Sequence, residues 1–95
     1  MDARLVNGQV APDQVETTIQ LWQSSVLPSA REQKGFRHVR LLVNRQEGRI
    51  ASMALWETVA DFQATVGWNQ DQVAKFTKLF LAPPEVDGYE VVVDL

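Results

Sequence analysis

Residues 35–57 read GFRHVRLLVNRQEGRIASMALWE, and this stretch decides the fold. Two β-rich runs, Phe36–Asn44 and Arg49–Trp56, flank the polar turn Gln46-Glu47-Gly48, where Gly48 is free to take a positive φ angle. Alternation along the first run sends Phe36, His38, Arg40 and Leu42 one way, and Arg37, Val39, Leu41 and Val43 the other. In the second run Ile50, Ser52, Ala54 and Trp56 share one face, and Ala51, Met53 and Leu55 share the opposite one. A hairpin with apolar side chains on both faces is not stable alone. Helices are expected over one face and a further partner over the other.

Working outward, residues 3–10 alternate weakly, with Ala3, Leu5 and Asn7 opposite Arg4 and Val6, and read as a first strand. Ala11-Pro12-Asp13 opens a helix whose apolar stripe is Val15, Ile19, Trp22 and Val26. Pro28 lacks the N–H that would bond back to Ser24, so it is expected to kink or end this helix. Residues 31–34 continue it as a last polar turn, and Gly35 stops it. Beyond the hairpin, Thr58 is placed to cap a helix containing Phe62 and Val66, which Gly67 interrupts. Asn69, with Gln72 three residues later, reads as a second cap. Val73, Phe76, Leu79 and Phe80 then give the buried side of a further helix, ended by Pro83-Pro84. Asp87-Gly88 reads as a turn, and residues 89–95 as the last strand.

The order strand, helix, strand, strand, helix, strand is the α+β, ferredoxin-like βαββαβ pattern. It implies a four-stranded antiparallel sheet with both helices on one face, and residues 1–95 as a single domain. The other face would expose apolar side chains from several strands. A second copy packed sheet against sheet is the expected cover, so the chain is read as a homodimer. An apolar content of 45% and a net charge of −3 describe a globular domain rather than a nucleic-acid or anionic-membrane binder. There is no cysteine, and the first residues lack the apolar run of a signal peptide or membrane helix. A cytoplasmic location is the expectation.

Several segments together carry a family resemblance: Pro28 with Lys34-Gly35-Phe36, Leu41-Leu42-Val43, Leu55-Trp56-Glu57-Thr58 and Tyr89-Glu90-Val91. They resemble the antibiotic biosynthesis monooxygenase-like domains of the dimeric α/β-barrel superfamily, over essentially the whole chain. The resemblance implies two sheets packed into a dimeric α/β barrel. That family includes cofactor-independent quinone-forming monooxygenases, haem-degrading enzymes and many small proteins with no known reaction. This chain looks most like the last group.

Six residues are candidates for a pocket. In the monooxygenases that the chain resembles, an asparagine four residues before the strand tryptophan binds the phenolic substrate, and the matching position is Ser52, ahead of Trp56. A first-strand asparagine contributes in some relatives, and Asn7 stands near that place. Trp22, Trp56 and Trp68 are read as lining an apolar pocket between helices and sheet, suited to a planar aromatic ligand; for Trp56 core packing against the helices is the favoured reading. His38 is the only histidine, which excludes a multi-histidine metal site but leaves a single base or haem ligand open, beside the plainer reading of a half-buried strand residue. The haem-degrading relatives carry their histidine on the second helix, near Lys75 here, so haem is not expected. No metal or cofactor is expected, and no catalytic residue is assigned. Two functions stay open: cofactor-independent oxygenation of an aromatic or quinone-like molecule, and non-catalytic binding of one. The basic residues Arg31, Lys34, Arg37, Arg40, Arg45 and Arg49 read as a solvated strand edge.

Overall fold

The computed structural model describes all 95 residues. Strand β1 (Asp2–Gln9) leads through a 3-10 turn (Pro12–Gln14) into helix α1 (Val15–Leu21), a π-helical turn (Trp22–Val26) and helix α2 (Leu27–Arg31). The hairpin β2 (Phe36–Asn44) and β3 (Arg49–Trp56) follows, then helices α3 (Val59–Ala64) and α4 (Val66–Ala74), and strand β4 (Glu85–Glu90). The sheet runs in the order β2-β3-β1-β4 with every neighbour antiparallel, the ferredoxin-like arrangement. No helix is long and apolar enough to cross a membrane.

The hairpin forms where its turn chemistry places it. Gly48 has φ +70°, and a Cβ there would collide with the carbonyl oxygen of Val10. The same Gly48 carbonyl accepts the Val10 N–H at 2.8 Å, so turn and first crossover are tied together. Helices cover the face that carries Val6, Ile50, Ser52, Ala54, Trp56, Val39, Leu41 and Val43. Against it pack two groups of buried side chains: Val10, Val15 and Ile50, and Trp22, Val26 and Phe76. Phe80 lies directly on β1, its ring filling the space that a Cβ at Gly8 would need.

The other face is uncovered. It presents Leu5 and Asn7 from β1, Ala51 and Met53 from β3, Leu42 from β2 and Tyr89 from β4; Leu42 is 56% exposed and Tyr89 55%, while Ala3 and Leu55 on the same face are buried. Charges line the edge strand β2 and the hairpin turn, with Arg37 of β2 on Glu57 at 2.6 Å, Arg45 of the turn on Glu16, and Arg49 at the start of β3 on Glu47 at 2.5 Å. These pairs are exposed and worth little individually.

Four local readings are corrected by the structure. Phe36 does not share the face of His38, because the β2–β3 register shifts between them; this bulge turns Phe36 onto the helix face beside Trp56. Pro28 does not end the first helix, which continues through Arg31. The Leu27 N–H reaches back five residues to the Trp22 carbonyl, and the widened turn leaves room for the proline ring. The second helical segment breaks at Thr65 rather than at Gly67 and ends at Ala74, leaving Phe76 and Leu79 in turns and Phe80 in a β-bridge with Val10. At that break the Phe62 carbonyl is drawn out of the helix by three donors: Thr65 N–H at 3.1 Å, Thr65 Oγ1 at 2.8 Å and Arg4 Nη2 at 2.8 Å. Finally, β4 begins at Glu85, so Asp87-Gly88 lies within the strand, opposite Leu5 and Arg4. The Val91 N–H still reaches the Met1 carbonyl at 2.9 Å, but residues 92–95 run beyond the start of β1 and have no strand to pair with, Val92 and Val93 being 82% and 80% exposed.

Thr58 caps α3 as its sequence implies, accepting the Asp61 N–H at 3.0 Å. Thr58→Ala is expected to lower stability by about 1 kcal/mol, the usual cost of a lost N-cap. An unchanged midpoint in urea denaturation would show that the cap contributes nothing.

Candidate functional site

The helices leave a cavity of about 50 Å³ above the middle of the sheet. Its floor is Val6 and Gly8 of β1, Ile50 and Ser52 of β3 and Leu41 of β2; Trp22, Val26, Asn69, Gln72, Phe76 and Phe80 are among the residues that close it. Room for a water centre takes about 15 Å³, so the cavity as it stands holds a few waters rather than a fused ring system. Ser52 sits here because it alternates with Met53 on β3. Trp22 sits here because the π turn begins at it and aims the indole at the sheet. The Trp22 Nε1–H donates to Ser52 Oγ at 3.3 Å, which gives an apolar chamber one polar point on its floor.

A second polar edge comes from α4. Gln72 is buried and accepts from Ser25 Oγ at 3.0 Å through Oε1, and Lys75 Nζ donates to the same hydroxyl at 2.8 Å. This chain of bonds pins the π turn to α4. Every residue around the cavity is uncharged, and none is a histidine, carboxylate or amine. The site can hydrogen-bond a ring oxygen. It has no side chain of its own that would take a proton near neutral pH.

Asn69 and Val73 line the cavity and also a larger, open groove of about 520 Å³ between α4 and β4. Arg4, Phe62 and Gln70 complete its sides, with Gly88 and Asp87 on the β4 rim. Arg4 is only 3% exposed, and desolvation by burial lowers its pKa from the ordinary arginine value.

The six sequence candidates separate. Trp22 and Ser52 meet in the cavity. Trp56 is fully buried but stands to one side, edge-on to Phe36 at 6.0 Å and to Trp68 at 5.8 Å between ring centroids. Its Nε1–H has no acceptor. Trp68 packs near Trp22 and donates to Ser29 Oγ at 2.6 Å, so it braces the first helix rather than walling the cavity. Asn7 and His38 project from the opposite, uncovered face and are exposed. Strand alternation explains both: Asn7 follows Val6, and His38 stands opposite Leu55. They cannot reach a molecule that touches Ser52.

Sequence reasoning missed Asn69, Gln72 and Thr18 as cavity residues. Their signal was present, since Asn69 and Gln72 fall on the same helix face as Val73 and Phe76, polar positions inside an apolar stripe. Arg4 was missed in the same way, as a charge on the strand face that Val6 shares.

Comparison with known proteins agrees with this architecture. Among solved structures, a protein of unknown function from Nitrosomonas europaea superposes with a TM-score of 0.80 at 19% identity, over 99% of this chain and 91% of that one. A monooxygenase from Streptomyces coelicolor, determined with the ligand nanaomycin D, gives 0.80 at 15% identity, over 99% and 89%. A Mycobacterium tuberculosis protein gives 0.77 at 16% identity, over 98% and 96%. At such identities the likeness speaks for the fold. No curated protein matches the sequence. The family model described as antibiotic biosynthesis monooxygenase matches residues 4–80, most of the chain, and the protein therefore belongs to the antibiotic biosynthesis monooxygenase family.

Proposed function

We propose that this protein is a homodimer, joined through its uncovered sheet face, whose subunits each bind a small aromatic or quinone-like molecule between helices and sheet. The observation that carries this reading is the Trp22–Ser52 pair: a donor and a hydroxyl joined on the floor of an otherwise apolar chamber. That is the lining expected for a ring with one or two oxygens. The chamber is small as it stands, so the ligand enters from the adjoining groove and displaces the Phe80 ring.

Oxygenation of the ligand is the second reading, favoured by family membership and by the fold shared with the S. coelicolor monooxygenase. The reaction would convert a phenol and dioxygen into a quinone and water, one oxygen atom entering the ring and the other leaving as water. Both electron pairs come from the substrate. With no base around the cavity, the phenol would have to ionise by its own acidity. Binding is therefore the function that the geometry supports best.

Titration with a panel of hydroxyanthraquinones, followed by tryptophan fluorescence, tests the site. Trp22→Phe is expected to keep the fold and weaken binding two- to tenfold, the equivalent of one hydrogen bond of about 0.5–1.5 kcal/mol. Trp56→Phe is expected to leave affinity unchanged, because that ring lies outside the cavity. The reverse pattern, or no saturable binding by any member of the panel, would remove the proposal. Oxygen uptake during the same titration, in the native protein and in Ser52→Asn, separates the two readings.

A further inference from the structure

We propose that Arg4 and the groove between α4 and β4 form an anion subsite, and that the ligand is an aromatic carboxylate. The ring part of this rests on the cavity reading above; the anion part does not.

Arg4 occupies a central strand, yet no carboxylate of the chain comes within ion-pair distance of it; the ion pairs that do form are elsewhere. Its partners are all neutral. Nη1 donates to Thr65 Oγ1 at 3.1 Å, Nη2 to the Phe62 carbonyl at 2.8 Å, and the guanidinium carbon lies 4.3 Å from the centre of the Phe62 ring. Nε has no partner within the protein. Closing the end of α3 accounts for the two terminal nitrogens, and an uncharged amide could do as much. The Phe62 ring face engages part of the positive charge, but no anion balances it in this nearly dry position.

Placement gives that charge a use. Arg4 lines the groove together with Asn69, Gln70 and Val73, and Asn69 and Val73 are also walls of the cavity. A molecule with its ring toward Ser52 and an anionic group in the groove would meet a planar guanidinium and amide donors at its charged end. Arginine's planar fork pairs bidentately with carboxylates and phosphates alike; with both Nη atoms already donating within the protein and no second cation on the groove, the single charge of a carboxylate fits better than the double charge of a phosphate. Asp87 is the one acidic residue on the groove. It is exposed and alternates onto the other sheet face, opposite Leu5, so it does not neutralise Arg4.

Two measurements on the native protein test this without any variant. Calorimetric titrations compare naphthoate with naphthamide, its neutral isostere, and formate is added while the Arg4 Nε–H resonance is followed by NMR. Naphthoate is expected to bind about tenfold or more tightly than naphthamide, and formate to shift the Arg4 signal. Arg4→Met should abolish the preference for the acid, and Arg4→Lys should keep part of it. Equal affinities for acid and amide, with an unmoved Arg4 signal, would overturn the subsite and leave the cavity reading intact. A formate shift with neither naphthyl compound bound would support the subsite, and overturn the cavity reading and the aromatic acid with it.

Discussion

Trp56→Ala is expected to bring the protein close to unfolding. The side chain is fully buried, at the point where β1, β2 and β3 meet, opposite Asp2 and Phe36. Its ring is held edge-on by Phe36 from the sheet and by Trp68 from α4. Truncating a buried aromatic of this kind costs about 3–5 kcal/mol, against a total stability of about 5–15 kcal/mol for a domain. Guanidinium denaturation followed by far-UV circular dichroism would show the loss as a large fall in midpoint. Trp56→Phe serves as the control. The indole N–H has no acceptor, and an unpaired buried donor costs about 1–3 kcal/mol. Removing it offsets part of the lost packing, so the Phe variant should sit well above the Ala variant. Equal losses in the two would mean that the ring is not packed as described.

Met53→Asp is expected to convert the proposed dimer into monomers. Met53 stands on β3 with Leu5 opposite it on β1 and Arg40 opposite it on β2, near the centre of the uncovered face. A carboxylate enclosed there by a second sheet costs several kcal/mol to desolvate, and the pairing that Arg40 can offer from across the strand offsets only part of it. About 4 kcal/mol raises a dissociation constant roughly a thousandfold. Light scattering at micromolar concentration should give twice the chain mass for the native protein and once for the variant. A native mass of one chain would leave the exposed Leu42 and Tyr89 without this explanation.

The sequence made the scaffold legible and the local exceptions opaque. Hairpin strands, their turn and the Thr58 cap rest on patterns that span only a few residues, so the chain itself displays them. Two of the failures depend on a contact made from far away in sequence, whereas the turn ahead of Pro28 and the bulge after Phe36 are local irregularities. Thr65 ends α3 because Arg4 claims the Phe62 carbonyl from β1. Asp87-Gly88 stays extended because β1 pairs with it, and Gly88 faces the Phe62 ring where a Cβ would intrude. One unpaired residue in β2 was enough to move Phe36 to the other face. For the site, Ser52 and Trp22 were readable from alternation and from the helical stripe. Asn7 was set aside only once its strand's register was known, and His38 once its face was seen to be uncovered.

The π turn has a consequence for tracing ancestry. Between Trp22 and Val26 the first helix carries one residue more than α-helical winding needs. A relative whose helix lacks it is one position shorter, and one position on a helix is about 100° of rotation. At identities of 10–19%, an ungapped alignment drawn through this segment would equate buried Ala30 with a residue on another side of its counterpart. Homologous positions on either side of the turn are therefore identified by superposing backbones, with a single-residue gap placed inside residues 22–26.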